Sequence, residues 1–349
     1  MSPHRTGTEL SSTRKTRLFT NGLYHLVRLI SFEDGTRWVA RIQLGGSTEG
    51  KAKKMQHEVD MMSLVYGYET YDSNPTGVAF MLMEFIPGNV AMDADGGHEV
   101  HRGNIRLNRR EAFYRYGTQL SSVRLPKIGM VVQREDGSYD VGSFPDIGRP
   151  FETATDFFKA WASHAKFPKD TETIQKMMSG APEALSSQIL ASVRNFPSQI
   201  AALAGRLSSQ TTTAGRSQDF LHSNIIIDHD YNILAVIEWE GACTLPWEMA
   251  QFPMFLSVTP AVMDAPWNYD KNGVPVDEGL KRKWQEREEY VDMVARCEAA
   301  DDKMDNKLSA SLRSRKHQDL AFAVRAYVDG GKLGFYSKVA AQFQEGLGW

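Results

Sequence analysis

The sequence predicts an α+β protein of two lobes, a small strand-rich N-lobe followed by a larger, mainly helical C-lobe. Three observations predict it. The first 88 residues carry three β-type runs around one helical pattern. The remainder carries several long helical patterns with hairpins between them, and 349 residues exceed what a single hydrophobic core usually serves.

In the N-lobe, residues 23–43, LYHLVRLISFEDGTRWVARIQ, give two β-rich runs joined by EDG, a glycine-containing turn of hairpin type. The second run alternates, with Trp38, Ala40 and Ile42 on one face and Val39, Arg41 and Gln43 on the other. After the loop LGGSTEG, the spacing of Met55, Val59, Met62 and Tyr66 predicts a helix over 51–66, with Glu58 on the edge of its apolar face. GVAFMLMEF, 77–85, then reads as a buried strand that leaves through IPG for a linker, which places the lobe boundary at residue 88.

In the C-lobe, 89–349, helices are predicted over 108–122 and over 153–166, the latter carrying Phe157, Phe158 and Trp161. KIGMVVQREDGSYDVGSF between them is a hairpin about Asp136-Gly137. Residues 182–207 read as helical with a break at Pro197, 278–299 as one helix, and 310–328 as helix ending at Gly330-Gly331. SSQTTTAG, 208–215, is a loop. It leads into DFLHSNIIID, 219–228, where Ile225 to Ile227 form a strand, HDYN turns, and ILAVI returns to bring Glu238 beside Asn224.

Composition excludes several function classes. A formal net charge of −3 argues against a general nucleic-acid binder or a binder of anionic membranes. Two distant cysteines, Cys243 and Cys297, fit a reducing compartment and exclude a cysteine metal cluster. The first residues, MSPHRTGTELSSTRKTRLFTNG, lack the apolar core of a secretory signal, and Glu9 counts against a mitochondrial presequence. No window has the length and apolarity of a membrane span. The expectation is a soluble, cytoplasmic protein with a small-molecule substrate; the oligomeric state leaves no mark in the sequence.

The chemistry-bearing residues point to phosphoryl transfer, which needs a carboxylate at the attacking hydroxyl, oxygen ligands for Mg²⁺ and a cation on the nucleotide phosphates. Asp219 and Asn224 stand in a D-x-x-x-x-N spacing, the one used by kinase catalytic loops for base and metal-binding amide. Glu238 follows on the returning strand. Arg41 on a strand and Glu58 on the next helix stand where a phosphate-binding cation and its supporting acid are found.

With these residues the chain resembles the aminoglycoside phosphotransferase family, which has a protein-kinase-like fold, and in particular its large fungal branch. The likeness is carried by FTNGLYHLV, WVARI, Glu58, MLMEFIPG, SQDFLHSNIIID and VIEWEGA, and extends to GSFPDIGRPFETATDFFKAW and PWEMAQFP. It implies ATP and Mg²⁺ as cofactors, Asp219 as catalytic base, Asn224 and Glu238 as magnesium ligands, and Arg41, held by Glu58, at the phosphates. It also implies that Gly22 lies in the nucleotide loop, though one glycine makes no phosphate cradle by itself. Met83, Glu84 and Phe85 correspond to the hinge that meets adenine through backbone groups.

Four departures from the family pattern cluster on the nucleotide and metal side. Ser217 stands where the family has a histidine, two residues before Asp219, and Glu238 replaces the usual aspartate. The extra methylene moves the carboxylate by about 1.5 Å. MMSLVYGYETYDSNPTG, 61–77, is short by the family standard, which predicts a small-lobe sheet lacking one strand. SSQTTTAGRSQ is unlike the family's loop before the aspartate.

Each residue also has a plainer reading. Asp219 and Asn224 would serve as turn and cap residues, Glu238 as one half of a structural ion pair, and Arg41–Glu58 as a surface salt bridge worth about 0–1 kcal/mol. His222 reads as structural or substrate-lining, and Trp239, Trp247 and Phe252 as core or pocket wall and not a cofactor platform. Beside the phosphotransferase stands a catalytically degenerate or repurposed kinase fold, binding a small organic ligand without transfer. A protein kinase is disfavoured by the lack of an A-P-E segment after Glu238.

Overall fold

The computed structural model describes residues 17–21, 24–62, 65–91, 118, 123–206, 213–216, 224–230, 232–239, 241–302 and 304–344. Strands lead and helices follow, the α+β order that the sequence predicts. The N-terminal sheet has five antiparallel strands: β1 (Arg17–Asn21), β2 (His25–Ser31), β3 (Arg37–Gln43), β4 (Val65–Glu69) and β5 (Phe80–Glu84), ordered β1-β2-β3-β5-β4. Helix α1 (Glu49–Met61) crosses between β3 and β4, with Thr48 Oγ1 accepting from the Lys51 amide at its start.

Two expectations fail here. The helix stops at Met61 instead of reaching 66, because Met62 turns to extended backbone and its N–H reaches only Val59 O. Val65, Tyr66 and Tyr68 then form β4, so the strand expected to be missing is present. Tyr66 finds its apolar surface by stacking on Trp38, with ring centroids 4.6 Å apart, instead of on a helix face.

The alternation read in β3 sets the lobe's interior. Val39 packs with Met55, Met81, Met83 and Val59 between sheet and helix, and Arg41, two residues on, points into the same layer. Ile237, from far down the chain, packs against this cluster. His57 Nε2 lies 2.5 Å from Val131 O, which ties α1 to the sheet that follows.

Two smaller sheets come next. β6 (Asn89–Val90), β10 (Ile225–Ile227) and β11 (Ile233–Val236) form one, ordered β11-β10-β6. β7 (Gly129–Gln133), β8 (Tyr139–Gly142), β9 (Thr213–Arg216) and β12 (Cys243–Pro246) form the other, ordered β8-β7-β12-β9. The β7–β8 turn falls at Asp136-Gly137 as predicted, with Gly137 at φ +81° and Asp136 Oδ1 accepting from Ser138 N.

The helical part consists of α2 (Ala154–His164), α3 (Thr171–Met177), α4 (Glu183–Leu203), α5 (Glu278–Ala299), α6 (Lys307–Arg313), α7 (Arg315–Val328) and α8 (Tyr336–Ala341). Its core is aromatic: Trp161 on α2, Phe196 on α4, Tyr327 on α7 and Tyr336 on α8 meet edge-on or tilted at centroid distances of 4.9–5.8 Å. The helix expected over 108–122 lies outside the described residues except for Thr118, which is helical.

Two helix boundaries differ from the sequence reading for identifiable reasons. Pro197 does not break α4, which runs through it. Proline removes the N–H that would bond the Val193 carbonyl, and the Tyr327 hydroxyl donates to that carbonyl instead, at 3.2 Å. The predicted helix 310–328 is in fact α6 and α7, parted at Ser314 (ψ 97°). Buried Gln318 stabilises the step, its Nε2 donating to Ser311 O at 3.2 Å and Ala250 O at 2.8 Å.

Candidate active site

The register of β2 and β3 places His25 opposite Gln43 and Arg41 opposite Val27, so His25 and Arg41 lie on neighbouring strands two residues apart in register. Arg41 faces α1, where Glu58 occupies the turn after Met55. Arg41 Nη1 donates to Glu58 Oε1, with Arg41 6% and Glu58 4% exposed. That burial overturns the surface-bridge reading of the pair. A planar guanidinium presents two parallel forks, and the second is used as well. Arg41 Nη2 donates to Glu238 Oε1 at 2.6 Å and lies 3.2 Å from His25 Nδ1.

Arginine has only donors, so His25 Nδ1 must accept and the ring is neutral with its proton on Nε2. Burial, then the charges of Arg41 and Lys51, push the His25 pKa down to about 4. One guanidinium therefore stands between two carboxylates and beside a neutral imidazole. Glu238 is the outermost member, with its side chain 27% exposed.

Glu238 arrives there by a backbone step that L-residues seldom take. Its φ is +64°, and among the described residues no other non-glycine residue has positive φ. Such a residue costs about 1–3 kcal/mol and is held only where its surroundings determine it. The surroundings here are explicit. Ile225 pairs with Val236, Ile237 N–H donates to Asn224 O at 2.9 Å, and Trp239 Nε1 donates to Val236 O at 2.8 Å. The β10–β11 hairpin thus sets Asn224, 8% exposed, next to the residue that precedes Glu238. Beneath it lies a core of Ile225, Ile227, Val236 and Phe252, against which Trp239 and Trp247 pack.

Of the residues expected at a hinge, Met83 is buried against α1 in the cluster with Met55 and Met81, and Glu84 is exposed. Phe85 N–H donates to Arg37 O at 3.2 Å, and the Arg37 guanidinium sits 4.3 Å over the Phe85 ring. Asp219, Gly22, Ser217 and His222 lie outside the described residues. The structure therefore brings Arg41, Glu58 and Glu238 together, with Asn224 adjacent in the hairpin.

Sequence reasoning passed over His25 and the direct Arg41–Glu238 contact. Alternation in β2 was a signal for the former; nothing local marks the latter, because 197 residues separate the partners. Among the described residues no three or more His, Cys, Asp or Glu gather as a metal-binding group, and no helix is long and apolar enough to cross a membrane.

No family model and no curated protein matches the sequence. Among solved structures the chain is similar to a thermostable mutant of an aminoglycoside phosphotransferase in ternary complex with ADP and hygromycin B, at 13% identity and TM-score 0.47 over 98% of this chain and 97% of that one. An apo form of such an enzyme gives 15% identity and 0.46 over 97% of each chain. A macrolide 2'-phosphotransferase type I gives 12% and 0.36 over 95% of this chain and 91% of that one. At these identities and TM-scores the likenesses carry no argument about what this chain acts on.

Proposed function

We propose that the chain is a small-molecule phosphotransferase of protein-kinase-like fold, using ATP and Mg²⁺ to phosphorylate a hydroxyl group. The observation that carries this reading is the buried cation of β3 gripping a carboxylate of α1 and, at 2.6 Å, a carboxylate at the end of a distant hairpin. That convergence, with a strained φ at Glu238, is what a site held in one geometry for phosphate and metal requires.

In this reading residues 1–88 are the nucleotide lobe and 89–349 carry the catalytic loop and acceptor cleft. Arg41 binds the nucleotide phosphates, Glu58 keeps the guanidinium in place, and Met83 to Phe85 line the adenine side. Gly22 lies in the loop over the phosphates. Asn224 and Glu238 offer an amide oxygen and a carboxylate, the hard donors that suit Mg²⁺, and Glu238 shares Oε1 with Arg41. When bound, the ion supplies charge neutralisation across the phosphate oxygens. Asp219 orients the acceptor hydroxyl and takes its proton. Arg41 exchanges Glu238 for phosphate and retains Glu58 as its anchor. A cytoplasmic location accords with this activity.

The same Arg41–Glu238 contact favours a second reading, in which the guanidinium neutralises the carboxylate permanently and the cleft binds a small organic ligand without transfer, as in specialised metabolism. Thermal-shift titration separates the two. The phosphotransferase reading expects stabilisation by ATP with Mg²⁺, diminished in Arg41→Ala, and γ-phosphate turnover lost in Asp219→Asn. Indifference to nucleotide removes the first reading.

A further inference from the structure

A cavity of about 330 Å³ opens in the helical part, between α5, α7 and the segment 258–262. None of the residues assigned to phosphate, metal or base lines it. Its walls are apolar where they meet the core, at Phe252, Val291 and Leu312, which belong to the cluster beneath the β10–β11 hairpin. Its polar lining is dominated by donors.

Arg287 lines the cavity and has no carboxylate within salt-bridge distance among the described residues. Its guanidinium lies 4.0 Å over the Phe252 ring, an arrangement that covers one face and leaves the donor edge for a ligand. Trp284 Nε1, one turn earlier on α5, is buried and has no hydrogen-bond partner among the described residues. Arg315, at the start of α7, extends over the Trp284 ring at 5.4 Å.

The remaining charged lining is already committed or exposed. Arg313 is paired with Asp292 at 3.0 Å, Glu288 is exposed, and Asp319 Oδ2 accepts from Gln342 Nε2 at 2.9 Å. Burial raises the Asp319 pKa, and the same effect pushes Arg287 down to about 10, still a cation at neutral pH. Arg287, half-buried and without a carboxylate in salt-bridge distance among the described residues, selects an anion, while Arg315 is exposed and the charge of Asp319 acts on both. The carboxyls of Asp319 and Glu288 nearby disfavour a dianion, and the apolar wall asks for a hydrocarbon body. The volume sits at the small end of ligand pockets, which run from about 300 Å³.

We propose that this cavity binds a small organic monocarboxylate, its carboxylate on Arg287 and its apolar body against Phe252, Val291 and Leu312. The site stands independently of the phosphotransferase reading, since it uses none of that reading's residues.

The test uses the full chain with benzoate, 2-naphthoate and octanoate as probes, and benzamide and inorganic phosphate as controls. Binding is followed by titration calorimetry and tryptophan fluorescence. At least one carboxylate is expected to bind saturably and quench or shift the emission, with benzamide and phosphate weaker by tenfold or more. Arg287→Met should weaken the carboxylate roughly tenfold to a hundredfold, the range of a hydrogen bond to a charged group, and Arg287→Lys less. Far-UV circular dichroism of each variant controls for folding. Absence of binding by all three carboxylates, equal binding of benzamide, or unchanged affinity in a folded Arg287→Met each overturns the proposal. Failure of nucleotide binding leaves it untouched.

Discussion

Replacing Tyr327 with phenylalanine removes one hydroxyl from the aromatic core and should cost about 1–1.5 kcal/mol, a figure that follows from Pro197. Proline at 197 has no N–H, so the carbonyl of Val193 lacks its intrahelical partner. Tyr327 supplies the replacement at 3.2 Å, with Val193 3% and Tyr327 4% exposed, so no solvent takes over when the hydroxyl goes. An unsatisfied buried carbonyl costs about 1–3 kcal/mol. The contact is longer than the usual O–H···O distance of about 2.7–2.8 Å, which places the loss in the lower part of that range. Pro197→Ala restores the N–H and lets the helix bond Val193 itself. In that background Tyr327→Phe should cost under about 0.5 kcal/mol, a coupling of about 1 kcal/mol between the two positions. Urea denaturation of the four proteins, followed by far-UV circular dichroism, gives the cycle. An equal cost of Tyr327→Phe in both backgrounds would refute the argument that the tyrosine compensates for the proline.

Further outcomes follow from other parts of the fold. His25 has a folded pKa of about 4 against an ordinary value of 6.5, so the folded state binds fewer protons between those values. Stability should therefore be complete above about pH 6.5 and fall as pH drops toward 4; urea midpoints across this window should show a shallower slope in His25→Gln, and an unchanged slope would count against a neutral His25. A Cβ at Gly88 would lie 2.4 Å from Ile227 O, a backbone atom of β10 that cannot swing aside. Gly88→Ala should thus destabilise by about 1–3 kcal/mol, with the thermal midpoint as readout and a neutral result excluding this close approach. Lysine at position 41 offers a point charge in place of a fork and cannot hold Glu58 and Glu238 together. Arg41→Lys should weaken stabilisation by Mg²⁺ and ATP by about tenfold or more, a loss of about 1.4 kcal/mol, and full retention in a thermal-shift titration would remove the need for the fork.

The sequence was most informative where the cause is local. Alternation along β3 already put Arg41 on the face shared with Val39, which is the face that packs on α1. The helix read over 278–299 is α5, and its start is fixed locally, Asp277 Oδ1 accepting from the Leu280 amide. The Asp136-Gly137 turn and the β10–β11 hairpin were legible for the same reason: a few adjacent residues decide the backbone.

Tertiary contacts decided the rest. The pattern at 62–66 fits a helix, yet pairing of Val65 with Met83 and stacking of Tyr66 on Trp38 turn it into a strand. Pro197 reads as a break until a hydroxyl from another helix satisfies the carbonyl it strands. The 310–328 pattern divides at Ser314, where buried Gln318 donates to Ser311 O of the preceding helix and to Ala250 O of a distant segment. At the candidate site, the sequence by itself determined which residue types were available and which face of its strand Arg41 would take. The tertiary structure alone decided that Arg41 would join Glu58 to Glu238. Period and capping act over one or two turns of chain, whereas a buried charge must find its counter-charge wherever the packed chain brings one within about 3 Å.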